Sequence, residues 1–79
     1  MNSKDPEHQQ FLEQQLNWCK EQDDILEAIE VKLHEMRDIV MYALGYELTA
    51  FDTRDLNRRL NELKYEVDFL ETHLRPVNH

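Results

Sequence analysis

Residues 56–74 read LNRRLNELKYEVDFLETHL, with apolar side chains at Leu56, Leu60, Leu63, Val67, Leu70 and Leu74. Steps of four and three put all six on one face of an α-helix, because about 3.6 residues complete a turn. Such a seam is built to be covered. The cover comes either from the same chain or from another one.

The charges beside the seam bear on that choice. With Leu60, Val67 and Leu74 at heptad position a and Leu56, Leu63 and Leu70 at d, the e positions hold Asn57, Lys64 and Glu71 and the g positions Arg59, Glu66 and His73. In a parallel zipper of this helix with itself, Arg59 meets Lys64 and Glu66 meets Glu71, and both contacts are like-charged. An antiparallel partner escapes that penalty, and the preceding segment of the chain supplies one.

That segment starts at Asp5-Pro6-Glu7. A carboxylate at the N-cap, proline in the first turn and an acid near the positive end of the dipole together mark a helix start. No proline or glycine interrupts it before Gly45. Leu12, Cys19, Leu26, Leu33 and Val40 recur every seven residues, and Ile29, Met36 and Ala43 fill the second seam position. Trp18, Ile25 and Ile39 widen the stripe beyond what a two-stranded zipper uses, as in a bundle helix. Asp24 and Glu27 have capping-box spacing, which admits a helix restart there and a three-helix monomer as the alternative.

Gly45, the only glycine, is expected as a left-handed C-cap. The connection is expected from Gly45 to about Asp52, with Thr49, Asp52 and Thr53 as candidate N-caps, and Pro76 stops the second helix. Tyr46, Leu48 and Phe51 make the connection apolar, so it is expected to pack over the end of the pair. The architecture is thus all-α: an antiparallel hairpin with helix 1 about 6–44 and helix 2 about 53–75, in a single domain over 1–79 with flexible ends at 1–5 and 76–79.

Folding at Gly45 gives a hairpin core of Leu26, Ile29, Leu33, Met36 and Val40 against Leu56, Leu60, Leu63, Val67, Leu70 and Leu74. Helix 1 then overhangs its partner, carrying Phe11, Leu12, Leu16, Trp18 and Cys19 into solvent. With Ile25, Ile39 and the Tyr65 and Phe69 strip, these form the expected interface. A chain of 79 residues with one cysteine has no internal disulfide and a small core, so self-association into a homodimeric four-helix bundle is the expected staple.

Composition limits the function. Net charge is −8, and residues 1–48 hold four basic against eleven acidic side chains. Attraction to nucleic acid or anionic lipid is disfavoured, and Arg54, Arg58, Arg59 and Lys64 lie among acids at ion-pair spacing. The stretch MNSKDPEHQQ is too polar for a signal peptide, and no apolar run approaches the roughly 20 residues of a membrane span, so a cytoplasmic protein is expected.

Glu30 and His34 are one turn apart, but the Glu-x-x-His spacing of di-iron bundles is missing, since Val31 and Leu70 precede His34 and His73 by three. His8 and His79 fall near the termini. Cys19 reads as a small seam hydrophobe. No nucleophile–base or phosphate-binding pattern has usable spacing. Neither enzyme activity, metal nor cofactor is expected. The expected role is an acidic protein–protein interaction module, an adaptor, regulator or inhibitor of an unidentified protein. The alternative is an acidic mimic of a nucleic-acid backbone, through Glu21, Asp23, Asp24, Glu27, Glu30, Glu35 and Asp38, blocking a basic partner.

Overall fold

A computed structural model describes residues 5–74. Two helices pack against each other: α1 spans Pro6–Gly45 and α2 spans Ala50–Glu71. Asp5 caps α1, its side chain accepting from the Glu7 backbone N–H at 3.0 Å. Pro6 has no N–H to lose there, so it suits the first turn. The helix runs without a break through Glu21–Asp24, a stretch that holds neither proline nor glycine. The Asp24–Glu27 spacing starts no second helix.

Gly45 closes α1 in right-handed geometry, and no described residue has positive φ. The chain leaves instead through Tyr46, which is extended at φ −134° and ψ 149°. Its ring stacks on Tyr42 with centroids 4.5 Å apart. Thr49 accepts from the Asp52 backbone N–H at 3.0 Å, and the Asp52 carboxylate accepts from the Thr49 N–H at 3.3 Å. This reciprocal box starts α2 at Ala50, three residues before the expected start, and shortens the connection to residues 46–49. Tyr46 and Phe51 are exposed and only Leu48 is half-buried, so the short connection does not roof the pair. The end of α2 precedes the expected Arg75; the Pro76 stop, His79 and the ends 1–4 and 75–79 lie outside the described residues.

Cross-helix contacts set an antiparallel register. Gln22 Nε2 donates to the His73 carbonyl at 3.4 Å, Lys32 pairs with Glu66 at 2.9 Å and Arg59 with Glu35 at 2.7 Å. Residues 6–21 of α1 therefore run past the end of α2 by about 24 Å at 1.5 Å per residue. The molecule measures 68 × 20 × 19 Å, and its radius of gyration of 20.1 Å compares with about 12 Å for a compact domain of this length.

Leu63 is fully buried, and Val67 and Ile29 are the other buried hydrophobic residues, at 7% and 9% exposure. Leu56, Leu60, Leu70 and Leu74 are half-buried, so the α2 seam faces α1 along its length. On α1 the buried line differs from the expected one. Ile25, Met36 and Ile39 are half-buried, whereas Leu26, Leu33 and Val40 stay 51%, 50% and 44% exposed. The apolar arc of α1 is wider than one neighbour can cover. The ion pairs of Lys32 and Glu35 with α2 lie on the flank that carries Ile25 and Ile39.

Candidate functional site

The two flanks of the hairpin differ in chemistry. One is polar and partnered: Lys32 Nζ donates to Glu66 at 2.9 Å, while Arg59 bonds Glu35 at 2.7–2.8 Å and Glu62 at 3.2 Å, and stands 3.7 Å from Glu66. The Lys32 hydrogen bond holds the Glu66 carboxyl below the usual carboxylate range, against a smaller opposing effect of desolvation. Hydrogen bonds from the Arg59 guanidinium to Glu35 and Glu62 raise its pKa further above its ordinary value. Arg58 is held likewise by Asp55 and Glu62 on its own helix. Of the basic cluster in α2, two members are thus occupied by carboxylates.

Beyond this flank lies an open cleft of about 410 Å³ between Glu35, Asp38, Ile39 and Tyr42 on α1 and Asp52, Asp55 and Leu56 on α2. A second groove runs between Lys32 and the strip of Tyr65, Glu66, Phe69 and Leu70. Tyr65 and Phe69 are both exposed, and the Phe69 ring lies 4.8 Å from the His73 ring.

The opposite flank is apolar and uncovered. Leu26, Leu33 and Val40 line it on α1, with the half-buried Leu60 on the side of α2 away from Arg59 and Glu66. Towards the amino end the same line continues through Leu12 and Cys19, both exposed, past the reach of α2. Phe11 and Leu16 are exposed there too, and Trp18 is 36% exposed. Of the expected interface residues, Ile25 and Ile39 instead face α2. Leu26, Leu33 and Val40 take their place on the outside, and seven-residue periodicity singles them out without saying which side they face.

Glu30 and His34 stand 3.7 Å apart, both exposed. Among the described residues no three His, Cys, Asp or Glu side chains converge as a metal-binding group, and no helix is long and apolar enough to cross a membrane. No protein-family model, curated protein or solved structure matches the chain.

Proposed function

We propose that this chain is a non-enzymatic protein–protein interaction module that self-associates into a helical bundle and acts as an adaptor, regulator or inhibitor of another protein. The observation that supports this reading is the balance of apolar surface: three buried hydrophobic residues among those described, against fifteen large exposed ones. Burying a large apolar side chain contributes about 1.5–3 kcal/mol, so a contiguous exposed set favours association. Total accessible surface is 6980 Å². A compact monomer of 9.6 kDa exposes about 5,100 Å². Two copies that each hid the excess of roughly 1,900 Å² would bury an area typical of obligate homodimers. An exposed cysteine without a partner suits a reducing compartment such as the cytoplasm.

Light scattering after gel filtration tests self-association, with a dimer expected at tens of micromolar. Trp18 emission is expected to shift to the blue as concentration rises. A monomer with concentration-independent, water-exposed emission overturns the reading.

The exposed acids Glu21, Asp23, Asp24, Glu27 and Asp38 along α1 favour a second reading, the mimic that occupies a basic partner. Salt separates the two: capture of a basic partner by carboxylates weakens steeply as ionic strength rises, and packing on an apolar flank does not.

A further inference from the structure

The uncovered line on α1 is long and regular. Leu12, Cys19, Leu26, Leu33 and Val40 are all exposed, and Leu26 stands midway between Leu12 and Val40. A twofold axis through Leu26, perpendicular to α1, sets Leu12 of one copy against Val40 of the other and Cys19 against Leu33. We propose that a second copy of this chain binds antiparallel along this line with Leu26 at the axis. The proposal rests on the self-association argued above and specifies its geometry.

Three features single out this arrangement. The first is reach. Residues 6–21 project past α2, and in the antiparallel pair each projection lies along residues 31–46 of the other copy, the half of α1 that α2 flanks. Both projections are then covered and three helices meet at each end. A parallel pair sets projection on projection, two helices thick, and leaves most of each in water.

The second is charge. Residues 6–24 carry five acids against Lys20, so a parallel pair stacks like on like. In the antiparallel pair Glu7 and Glu13 come level with residues 45 and 39, on the flank bordered by Arg37 and Lys64, while Glu21, Asp23 and Asp24 come level with residues 31, 29 and 28 near the axis. Arg37 lies four residues after Leu33, and Lys64 four after Leu60 on the side away from Arg59 and Glu66. Neither has an ion-pair partner among the described residues, whereas Lys32 and Arg59 on the other flank are both paired. Arg37 comes level with Gln15 of the second copy, within a turn of Glu13. The third is the helix dipole, which opposes parallel neighbours and favours antiparallel ones.

Cys19 makes the geometry measurable in the full chain. Two Cys19 side chains would lie fourteen residues apart along the paired helices, about 21 Å at 1.5 Å per residue. Oxidation with copper-phenanthroline is expected to leave the unaltered chain uncrosslinked. The same treatment should convert most of the Leu33→Cys variant, with Cys19 retained, to a disulfide-linked dimer, and likewise the Cys19→Ala, Leu26→Cys variant.

A spin label on Cys19 of the unaltered chain gives an independent reading that depends on no new substitution, with label pairs expected roughly 20–30 Å apart. A dimer whose Cys19 residues crosslink directly, or whose labels lie about 10 Å apart, overturns the antiparallel geometry and leaves self-association standing. A monomer at tens of micromolar overturns both.

Discussion

Lys32 on α1 donates to Glu66 on α2 across 2.9 Å, and Lys32 occupies the position seven residues after Ile25 and seven before Ile39. The pair ties the Ile25 side of α1 to α2. Together with Arg59 and Glu35 it makes one flank of the hairpin polar and closed and leaves Leu26, Leu33 and Val40 on the open one. The paired flank and the uncovered apolar line thus lie on opposite sides of the hairpin.

The Glu66 contact has a pH signature. Its carboxyl pKa is lowered in the fold, first by the Lys32 hydrogen bond. A lowered carboxyl pKa contributes stability that is fully present above the unfolded value, about 4.3 for glutamate, and is lost as pH falls through the folded value. Glu66→Gln is expected to melt below the unaltered chain at pH 7, and the difference is expected to shrink as pH falls from the unfolded value through the lower folded one. Thermal melts of both proteins from pH 3 to 7 measure it; a difference that grows towards acid contradicts the assignment.

Leu63 is the one fully buried side chain among those described. Leu63→Ala is expected to cost about 2–5 kcal/mol, a large share of what so small a core supplies. Urea unfolding followed by far-ultraviolet circular dichroism should show a lower midpoint, or loss of most helicity at 25 °C. A loss below about 0.5 kcal/mol would show that Leu63 is not the centre of the core.

Thr49 starts α2 through its box with Asp52. Thr49→Ala is expected to cost about 1 kcal/mol and to lower the melting temperature by about 4–8 °C. Thr53→Ala, inside α2 and without a cap to lose, serves as the comparison. Equal effects would mean that the cap contributes nothing specific.

Leu26→Asp and Leu63→Ala separate association from folding. A dimer that sets Leu26 at its axis buries both copies, so an aspartate there is expected to weaken association by at least about a hundredfold, or roughly 2.7 kcal/mol. Helicity of the chain should persist, since Leu26 makes little of the hairpin core. Sedimentation equilibrium measures this.

Because each chain carries −8, association of the unaltered protein is also expected to tighten as salt rises from about 0.05 to 0.5 M. Dimerisation unaffected by Leu26→Asp would move the interface to another surface.

The local features of the fold were legible in the residues. Asp5 and Pro6 mark the first helix start, the absence of proline and glycine carries α1 to Gly45, and the six-residue seam of α2 names its own inner face. Each of these depends on neighbours within a turn or two, so sequence spacing is enough to read it. The start of α2 was less legible because Thr49, Asp52 and Thr53 are all competent caps, and only the reciprocal bond between Thr49 and Asp52 selects the first. The left-handed reading of Gly45 did not hold, since the chain turns at the extended Tyr46 instead.

What the sequence by itself determined is therefore an antiparallel pair of helices of unequal length and a first helix with more apolar surface than one neighbour can cover. What only the tertiary structure decided is how that surface divides. Ile25, Met36 and Ile39 turn towards α2, while Leu26, Leu33 and Val40 turn away. The physical reason is that apolar burial is non-directional and nearly indifferent to a rotation within the wide arc of α1. Hydrogen-bonded ion pairs are directional, and Lys32–Glu66 and Arg59–Glu35 join residues 34 and 24 positions apart in the chain. No local periodicity contains them.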